Sequence, residues 1–169
     1  MKITAATRSR ARHYAMQALY QWEMTGNNLG GIESEYHTDN DMSKVDVEYF
    51  HELFHGAAAI KSTLDEAYTP FLKGMSLEEL DPVTKAILRM ASFEFKSRVD
   101  VPYKVVINES VNLAKKFGAA DSHKFVNGVL DKLAVTLREA EVKAGGKSGG
   151  KPGGKAGKKS NDAAKNKSS

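Results

Sequence analysis

The sequence predicts an all-α protein, a compact bundle of about six or seven helices joined by short loops. Three observations support this prediction. Apolar residues recur at three- and four-residue steps through most of residues 9–138, which is the spacing of a buried helix face. Residues typical of helix caps stand at the ends of these stretches. No segment shows the sustained alternation of a β-strand bounded by turns.

The first half of the chain contains three of the predicted helical stretches. The first spans about residues 9–24 and stops at Gly26, a typical C-terminal glycine. An acidic segment follows, with a short helix expected around residues 32–36. A long helix then begins near Asp46 and continues towards residue 71, and we expect an interruption at Gly56.

The second half contains three more helices, each with a recognisable start. Asp81-Pro82 combines an N-cap with a proline at the first helical position. A second helix starts at residues 100–102 and ends at Gly118. The last helix starts at Asp121 or Ser122 and runs to about residue 138. It contains Asn127-Gly128, ordinarily a turn signal, which we interpret as a close helix–helix contact because a mid-helix glycine costs about 1 kcal/mol.

Charge is distributed unevenly along the chain. Residues 143–169 hold eight of the 25 basic residues and one of the 21 acidic ones, so they carry +7. Residues 1–142 therefore carry −3. The C-terminal stretch is rich in Lys and Gly and has no apolar residue larger than Ala, so we expect it to be disordered. We predict a folded domain over residues 1–142 and a disordered tail over residues 143–169.

Composition also limits the classes of function. The chain has no cysteine, which excludes disulfides, thiolate catalysis and cysteine-ligated zinc. No apolar run reaches the length of a membrane span, and the first residues do not open a signal peptide. We expect a cytoplasmic protein that makes no use of a membrane.

One stretch matches a catalytic metal motif. His51-Glu52-Leu53-Phe54-His55 has the H-E-x-x-H pattern, which places two imidazoles on one helix face with Glu52 as a candidate base. The longer form of the motif fails, because Ala58 and Lys61 stand where it needs Gly and His. We favour a structural role for both histidines and keep a zinc hydrolase as an alternative.

Basic and aromatic residues form two groups suited to RNA. Arg8, Arg10 and Arg12 lie near Tyr20, and could form a phosphate-gripping arm beside a stacking surface. The second group begins with Lys115-Lys116-Phe117 and continues through the loop to the start of the last helix. Two such groups on a net acidic body favour localised recognition of RNA. Neither a nucleophile–base pair nor a phosphate-binding glycine loop accompanies them in the sequence.

Several sequence motifs occur in a fixed order along the chain. They are Arg10-Ala11-Arg12 with Ala15-Met16-Gln17-Ala18-Leu19-Tyr20, then Leu88-Arg89-Met90-Ala91 with Phe93-Glu94, then Val101-Pro102-Tyr103-Lys104-Val105-Val106-Ile107-Asn108-Glu109-Ser110-Val111, Ala114-Lys115-Lys116-Phe117-Gly118 and Ser122-His123-Lys124-Phe125-Val126-Asn127-Gly128-Val129-Leu130-Asp131. Together these motifs resemble the NusB family of bacterial transcription antitermination factors, and the similarity covers about residues 5–138.

The resemblance implies two helical subdomains, an N-terminal bundle and a larger C-terminal one. It implies binding of boxA RNA together with NusE, the ribosomal protein S-ten, within an RNA polymerase antitermination complex. Transcription of ribosomal RNA operons would thereby escape premature termination. Carried over by position, the candidate RNA-binding residues are Arg8, Arg10, Arg12, Tyr20, Lys85, Arg89, Phe117, Asp121, Lys124 and Phe125. Two residues depart from the family pattern. Ser9 interrupts an arginine run, which predicts weaker phosphate contacts there, and Thr84 stands near Lys85 and Arg89 where relatives can carry an acidic residue.

The sequence thus predicts a non-enzymatic RNA-binding adaptor that needs no cofactor or metal. A second alternative stays within RNA binding, since some RNA methyltransferases carry a NusB-like domain. In that case the chain would serve a separate RNA-modifying enzyme as its adaptor.

Overall fold

A computed structural model of the chain describes residues 2–147, with side chains through residue 145. Over these residues it contains α-helices and short 3₁₀ turns and no strand, which confirms the all-α prediction. No helix within this range is long and apolar enough to cross a bilayer. The helices are α1 (Ala5–Thr25), α2 (Leu29–Asp39), α3 (Val47–Ala59), α4 (Lys61–Tyr68), α5 (Pro82–Ser97), α6 (Tyr103–Phe117), α7 (Ser122–Leu137) and α8 (Glu139–Lys147), with 3₁₀ turns at Thr69–Phe71 and Leu77–Glu79.

The chain divides into two units after Leu133. The second unit, as far as it is described, holds the end of α7 and α8. There the Arg138 guanidinium lies 2.6 Å from Glu141, and Lys143 lies 2.9 Å from Glu139 one turn away. Helix α8 continues past the predicted boundary at residue 142. Residues 148–169 of the predicted tail lie outside the described residues.

Helix α5 is the centre of the first unit. It packs against α1, α3, α4 and α6, and its side chains from Ala86 to Phe95 are all buried. Because neighbouring helices surround this stretch, its polar residues Arg89, Ser92 and Glu94 are buried together with the apolar ones.

Helix α1 begins earlier than the sequence predicts. Thr4 caps it through a reciprocal capping box with Thr7, and Gly26 ends it with a left-handed φ of 70°. The arginines at positions 8, 10 and 12 therefore lie on a helix and not in an extended arm.

The predicted interruption at Gly56 is wrong. Helix α3 continues through Gly56, and the chain breaks at Ile60, with φ −123° and ψ 33°, before α4 begins. Gly56 is needed for packing, because a methyl group there would overlap the ring of Phe93 on α5. The close helix–helix contact that requires a glycine is thus between α3 and α5.

The interpretation of Gly128 as a close helix–helix contact is also wrong. A Cβ atom at Gly128 would lie 3.0 Å from Nζ of Lys73, the flexible end of an exposed side chain in the loop after the first 3₁₀ turn. Because such a side chain can move, the glycine is not required by a neighbouring helix.

The turn between α6 and α7 depends on Gly118. A Cβ atom there would lie 2.7 Å from the carbonyl oxygen of Ala114 and would also overlap Ser122. Asp121, just before α7, has a left-handed φ of 66°. Aspartate is one of the few residues besides glycine that adopts this conformation readily. The geometry differs from the extended backbone of an ordinary N-cap.

We predict that Gly56→Ala lowers the free energy of unfolding by about 1–3 kcal/mol, because the buried Phe93 ring cannot make room without strain. Urea denaturation measures the change. The matched control is Gly30→Ala on α2, where the nearest atom to the new methyl lies 3.7 Å away. That control should gain up to about 1 kcal/mol from helix propensity. Equal gains in both variants would contradict the packing argument.

Candidate nucleic-acid interface

The three arginines near the start of α1 lie in different surroundings. Arg10 is exposed and donates a hydrogen bond of 3.1 Å to the carbonyl oxygen of Lys44. Arg8 and Arg12 are one turn apart and line a cavity of about 290 Å³ together with Asp100 and Glu109. The two acidic side chains reduce the positive charge available there. Among the three arginines, Arg10 is the one most open to solvent.

Arg12 is held in a buried ion pair. Its side chain is 4% exposed, and that of Glu94 is fully buried. Nε of Arg12 lies 3.0 Å from both carboxylate oxygens, and a terminal nitrogen lies 2.8 Å from Oε2. Although burial opposes the charge, the hydrogen bonds and charge of Glu94 raise the pKa of Arg12 above its usual value. Glu109 adds a second carboxylate at 3.5 Å.

Tyr49 connects this ion pair to two further arginines. Its hydroxyl donates to Oε2 of Glu94 at 2.5 Å. Burial and the Glu94 charge raise the pKa of Tyr49, so its hydroxyl stays protonated. Arg8 and Arg98 lie over the tyrosine ring, 4.4 and 4.8 Å from its centroid, within the range of cation–π attraction. Arg8 also pairs with Asp46 at 3.3 Å.

Arg89 and Lys85 belong to a second ion-pair cluster. Arg89 makes two hydrogen bonds to Asp65, of 2.9 and 2.8 Å, and a third of 2.7 Å to Glu23. Lys85 lies 3.2 Å from the other oxygen of Glu23. Hydrogen bonding from Arg89 is the main cause that lowers the pKa of Glu23. The cluster joins α1, α4 and α5, and the Arg89 side chain is only 5% exposed.

Tyr20 and Phe117, which the sequence analysis assigns to two separate groups, come together in the structure. Both line one cavity of about 360 Å³ between α1, α2, α5 and α6. Its other walls are mainly apolar or amide side chains, including Met16, Gln17 and Tyr36. Tyr20 is 37% exposed and Phe117 is half-buried, so ring surface is open to solvent.

Two residues beside this cavity are absent from the ten candidate RNA-binding residues, although Lys116 belongs to the second basic and aromatic group. The His13 ring lies 5.1 Å from that of Phe117, and Lys116 Nζ lies 5.4 Å from the centroid of Phe117. Burial, and then the Lys116 charge, lower the pKa of His13. His13 could have been found from spacing, because His13, Gln17 and Tyr20 lie at steps of four and three on one helix face.

Asp121, Lys124 and Phe125 form a separate group at the start of α7 and do not line the cavity. The side chains of Lys124 and Asp121 are 74% and 75% exposed, with 3.6 Å between ammonium and carboxylate. An exposed pair at that distance contributes little to stability. Lys124 is thus available to a phosphate, whereas Phe125 is half-buried.

Comparisons with known proteins identify one family. The NusB family model matches residues 9–135. The transcription antitermination protein NusB of Saccharophagus degradans is 73% identical over 144 residues, covering 85% of this chain and 96% of that protein. The protein of the same name from Teredinibacter turnerae is 74% identical over 144 residues, covering 85% of this chain and 98% of the relative.

Solved structures show the same fold. NusB of T. maritima superposes with a TM-score of 0.71 at 30% identity, covering 85% of this chain and 99% of that one. A crystal structure of antitermination factors NusB and NusE in complex with double-stranded RNA contains a chain that matches with a TM-score of 0.66 at 26% identity, covering 79% and 99%.

The alternative of a zinc hydrolase is wrong. The relatives are named as transcription antitermination proteins and not as enzymes. The geometry agrees, since the carboxylate of Glu52, the candidate base, lies 2.8 Å from the guanidinium of Arg98. A carboxylate held in this way is poorly placed to activate water.

We predict that Arg12→Met lowers the free energy of unfolding by about 3–5 kcal/mol, because Glu94 is left buried without its partner. Arg10→Met makes the same change at an exposed position and should alter stability by less than about 0.5 kcal/mol. Urea denaturation of both variants measures the difference. Adding Glu94→Gln to Arg12→Met should recover part of the loss. A loss below 1 kcal/mol for Arg12→Met would argue against the buried pair.

Proposed function

The chain belongs to the NusB family, and we propose that it is a transcription antitermination factor that binds boxA RNA together with NusE, the ribosomal protein S-ten. Its role would be to promote processive transcription of ribosomal RNA operons within an RNA polymerase antitermination complex. The high identity to named antitermination proteins and the fold shared with a NusB–NusE–RNA structure support this proposal.

One observation carries the RNA-binding part, namely the cavity that Tyr20 and Phe117 share. Unpaired bases bind proteins by stacking on aromatic rings, at about 1–3 kcal/mol per base. The cavity is open, mainly apolar and bordered by a lysine ammonium. It therefore suits a base, with Lys116 close enough to reach the adjoining phosphate.

Exposed cations would supply the phosphate contacts. We assign this role to Arg10 and Lys124, with Lys116 added from the structure. Arg8 and Lys85 are partly exposed and paired with Asp46 and Glu23, so RNA would have to share them with carboxylates. Six lysines lie among the last 22 residues, and their positive charges would add an attraction to RNA that does not depend on its sequence.

Arg12 and Arg89 have a different role in this proposal. Each is saturated by carboxylates inside the protein, and moving either guanidinium to RNA would leave a buried acid unpaired. We propose that they position the residues that contact RNA. Asp121 and Phe125 would shape the start of α7, where Lys124 projects.

We predict that Phe117→Leu weakens binding to a single-stranded boxA RNA by about 1–3 kcal/mol, because leucine keeps the packing but offers no stacking face. Tyr20→Leu should act in the same direction. Fluorescence anisotropy of labelled RNA, with S-ten present, measures the affinity. The matched control is Val105→Ala, which truncates an exposed apolar side chain on α6 that does not line this cavity. Unchanged affinity in both ring variants would contradict the stacking site.

We predict that Lys124→Ala weakens binding and reduces the slope of log affinity against log salt by about 0.7, the value for one phosphate contact to a single strand. Lys132→Ala removes the same charge from an exposed position further along α7 and should change neither. Anisotropy titrations at several salt concentrations test this. Equal effects of the two variants would indicate general electrostatics instead of a contact at Lys124.

The partner requirement has its own test. Adding S-ten should tighten binding to boxA RNA more than binding to a scrambled RNA of equal length. Comparing the full chain with a chain ending at residue 147 separates the attraction of the C-terminal lysines, which should affect both RNAs equally. Failure to bind boxA RNA even with S-ten present would overturn the proposed function.

A further inference from the structure

Three side chains from α2 and α3 form a cluster apart from the proposed RNA site. They are Glu33, His51 and His55, and one ligand atom of each lies within 4.8 Å of the others. The two histidines are one turn apart on α3, and Glu33 faces them from α2. None of the three lines the cavity of Tyr20 and Phe117.

Both imidazoles converge on one carboxylate oxygen. His51 Nδ1 lies 2.9 Å and His55 Nε2 lies 2.7 Å from Oε1 of Glu33. The rings are stacked, with centroids 4.1 Å apart and planes 24° from parallel. Without a metal, each of these nitrogens must carry a proton to donate to the oxygen. A metal ion replaces such protons and binds all three atoms, since metal-bound imidazoles are neutral and metal-bound carboxylates are ionised.

The donor set indicates the class of metal. Two imidazole nitrogens and a carboxylate oxygen are ligands that Zn²⁺ and related first-row divalent ions prefer, whereas Mg²⁺ and Ca²⁺ prefer oxygen alone. Donor atoms around a tetrahedral Zn²⁺ with bonds of about 2.0–2.2 Å lie about 3.4 Å apart. Each histidine nitrogen would therefore move away from Oε1 of Glu33 by about half an ångström, and all three donor atoms already lie within 4.8 Å of one another. His37 Nε2 lies 3.7 Å from the second oxygen of Glu33 and borders the site.

The cluster is accessible to an ion from solution. The side chains of His51 and His55 are 56% and 30% exposed, and that of Glu33 is 19% exposed. Metal binding would also have a mechanical effect. Helix α2 buries only Ile32 and begins with two glycines after Leu29, so little of it is anchored by apolar packing. A bond from Glu33 to an ion held by the histidines of α3 would anchor α2 to α3.

We propose that Glu33, His51 and His55 form a Zn²⁺ site that joins α2 to α3. Glu52, the base that a catalytic H-E-x-x-H site would use, is engaged by Arg98, so the role of the ion in this proposal is to link the two helices. The site is independent of the proposed RNA-binding function. Its effect is to increase the stability of the first unit when zinc is available.

Zinc titration of the untagged full chain, after removal of metals with a chelator, tests the site. Isothermal titration calorimetry should show one Zn²⁺ per chain, and Co²⁺ should give the visible absorption of a tetrahedral complex. Glu33→Gln and His51→Ala should each weaken binding by about a hundredfold or more, since even loss of an indirect contact to a metal ligand costs 10- to 100-fold. His123→Ala, on α7, removes a histidine outside the cluster and should leave the affinity unchanged.

Thermal unfolding provides a second readout. Zn²⁺ should raise the unfolding temperature of the wild-type chain and of His123→Ala, but not that of His51→Ala. The altered side chains are partly exposed, so the variants should fold, and circular dichroism checks this. Zinc binding that is equal in wild type and His51→Ala, or no binding at millimolar Zn²⁺, would overturn the proposal. RNA affinity unchanged by these variants would show that the two sites are independent.

Discussion

The buried pair of Arg12 and Glu94 is the interaction on which the rest of the first unit depends. It places a charge from α1 against a charge from α5, the helix at the centre of the core, and it draws in Tyr49 from α3. A buried ion pair is weak evidence of net stability, but separating Arg12 from Glu94 would leave the buried Glu94 carboxylate without its partner. The pair therefore favours the observed arrangement of the three helices.

That arrangement gives α1 two different faces. One face carries Arg8 and Arg12 into the protein, where carboxylates and an aromatic ring surround them. The other face carries His13, Gln17 and Tyr20 towards Phe117 at the end of α6. In the proposed function, the rigidity of the first face would preorganise the second and reduce the entropy lost when a flexible single strand binds. Stability and the proposed recognition surface would then share one helix.

Sequence reasoning predicted the helical elements well because apolar periodicity and caps are local signals. Asp81-Pro82 and Gly118 mark ends that the structure confirms. Sequence reasoning failed where a tertiary contact determines the role of a residue. Gly56 resembles a helix breaker in the sequence, yet the nearby ring of Phe93 accounts for it, and Gly128 resembles a packing glycine but faces only a lysine side chain.

The candidate site shows the same division. Residue types singled out Tyr20 and Phe117 in two separate groups, because rings next to cations suit RNA, but they did not predict that the two rings share one cavity. They could not show which arginines are available, since burial of Arg12 and Arg89 depends on acids far away in the sequence. The H-E-x-x-H motif shows the same limit. Its sequence favoured a structural role for both histidines, but it could not show that they meet Glu33 from another helix or that Arg98 engages Glu52.

An NMR titration of the isotope-labelled chain with boxA RNA and S-ten tests the central claim most directly. The side-chain Nε–H signals of arginines and the ring signals of aromatic residues report separately on the two faces of α1. We predict large shifts for the rings of Tyr20 and Phe117 on adding RNA, and no change in the Nε–H signal of Arg12, which stays bonded to Glu94. A shift of the Arg12 signal with unchanged ring signals would contradict the division between a structural and a recognition face.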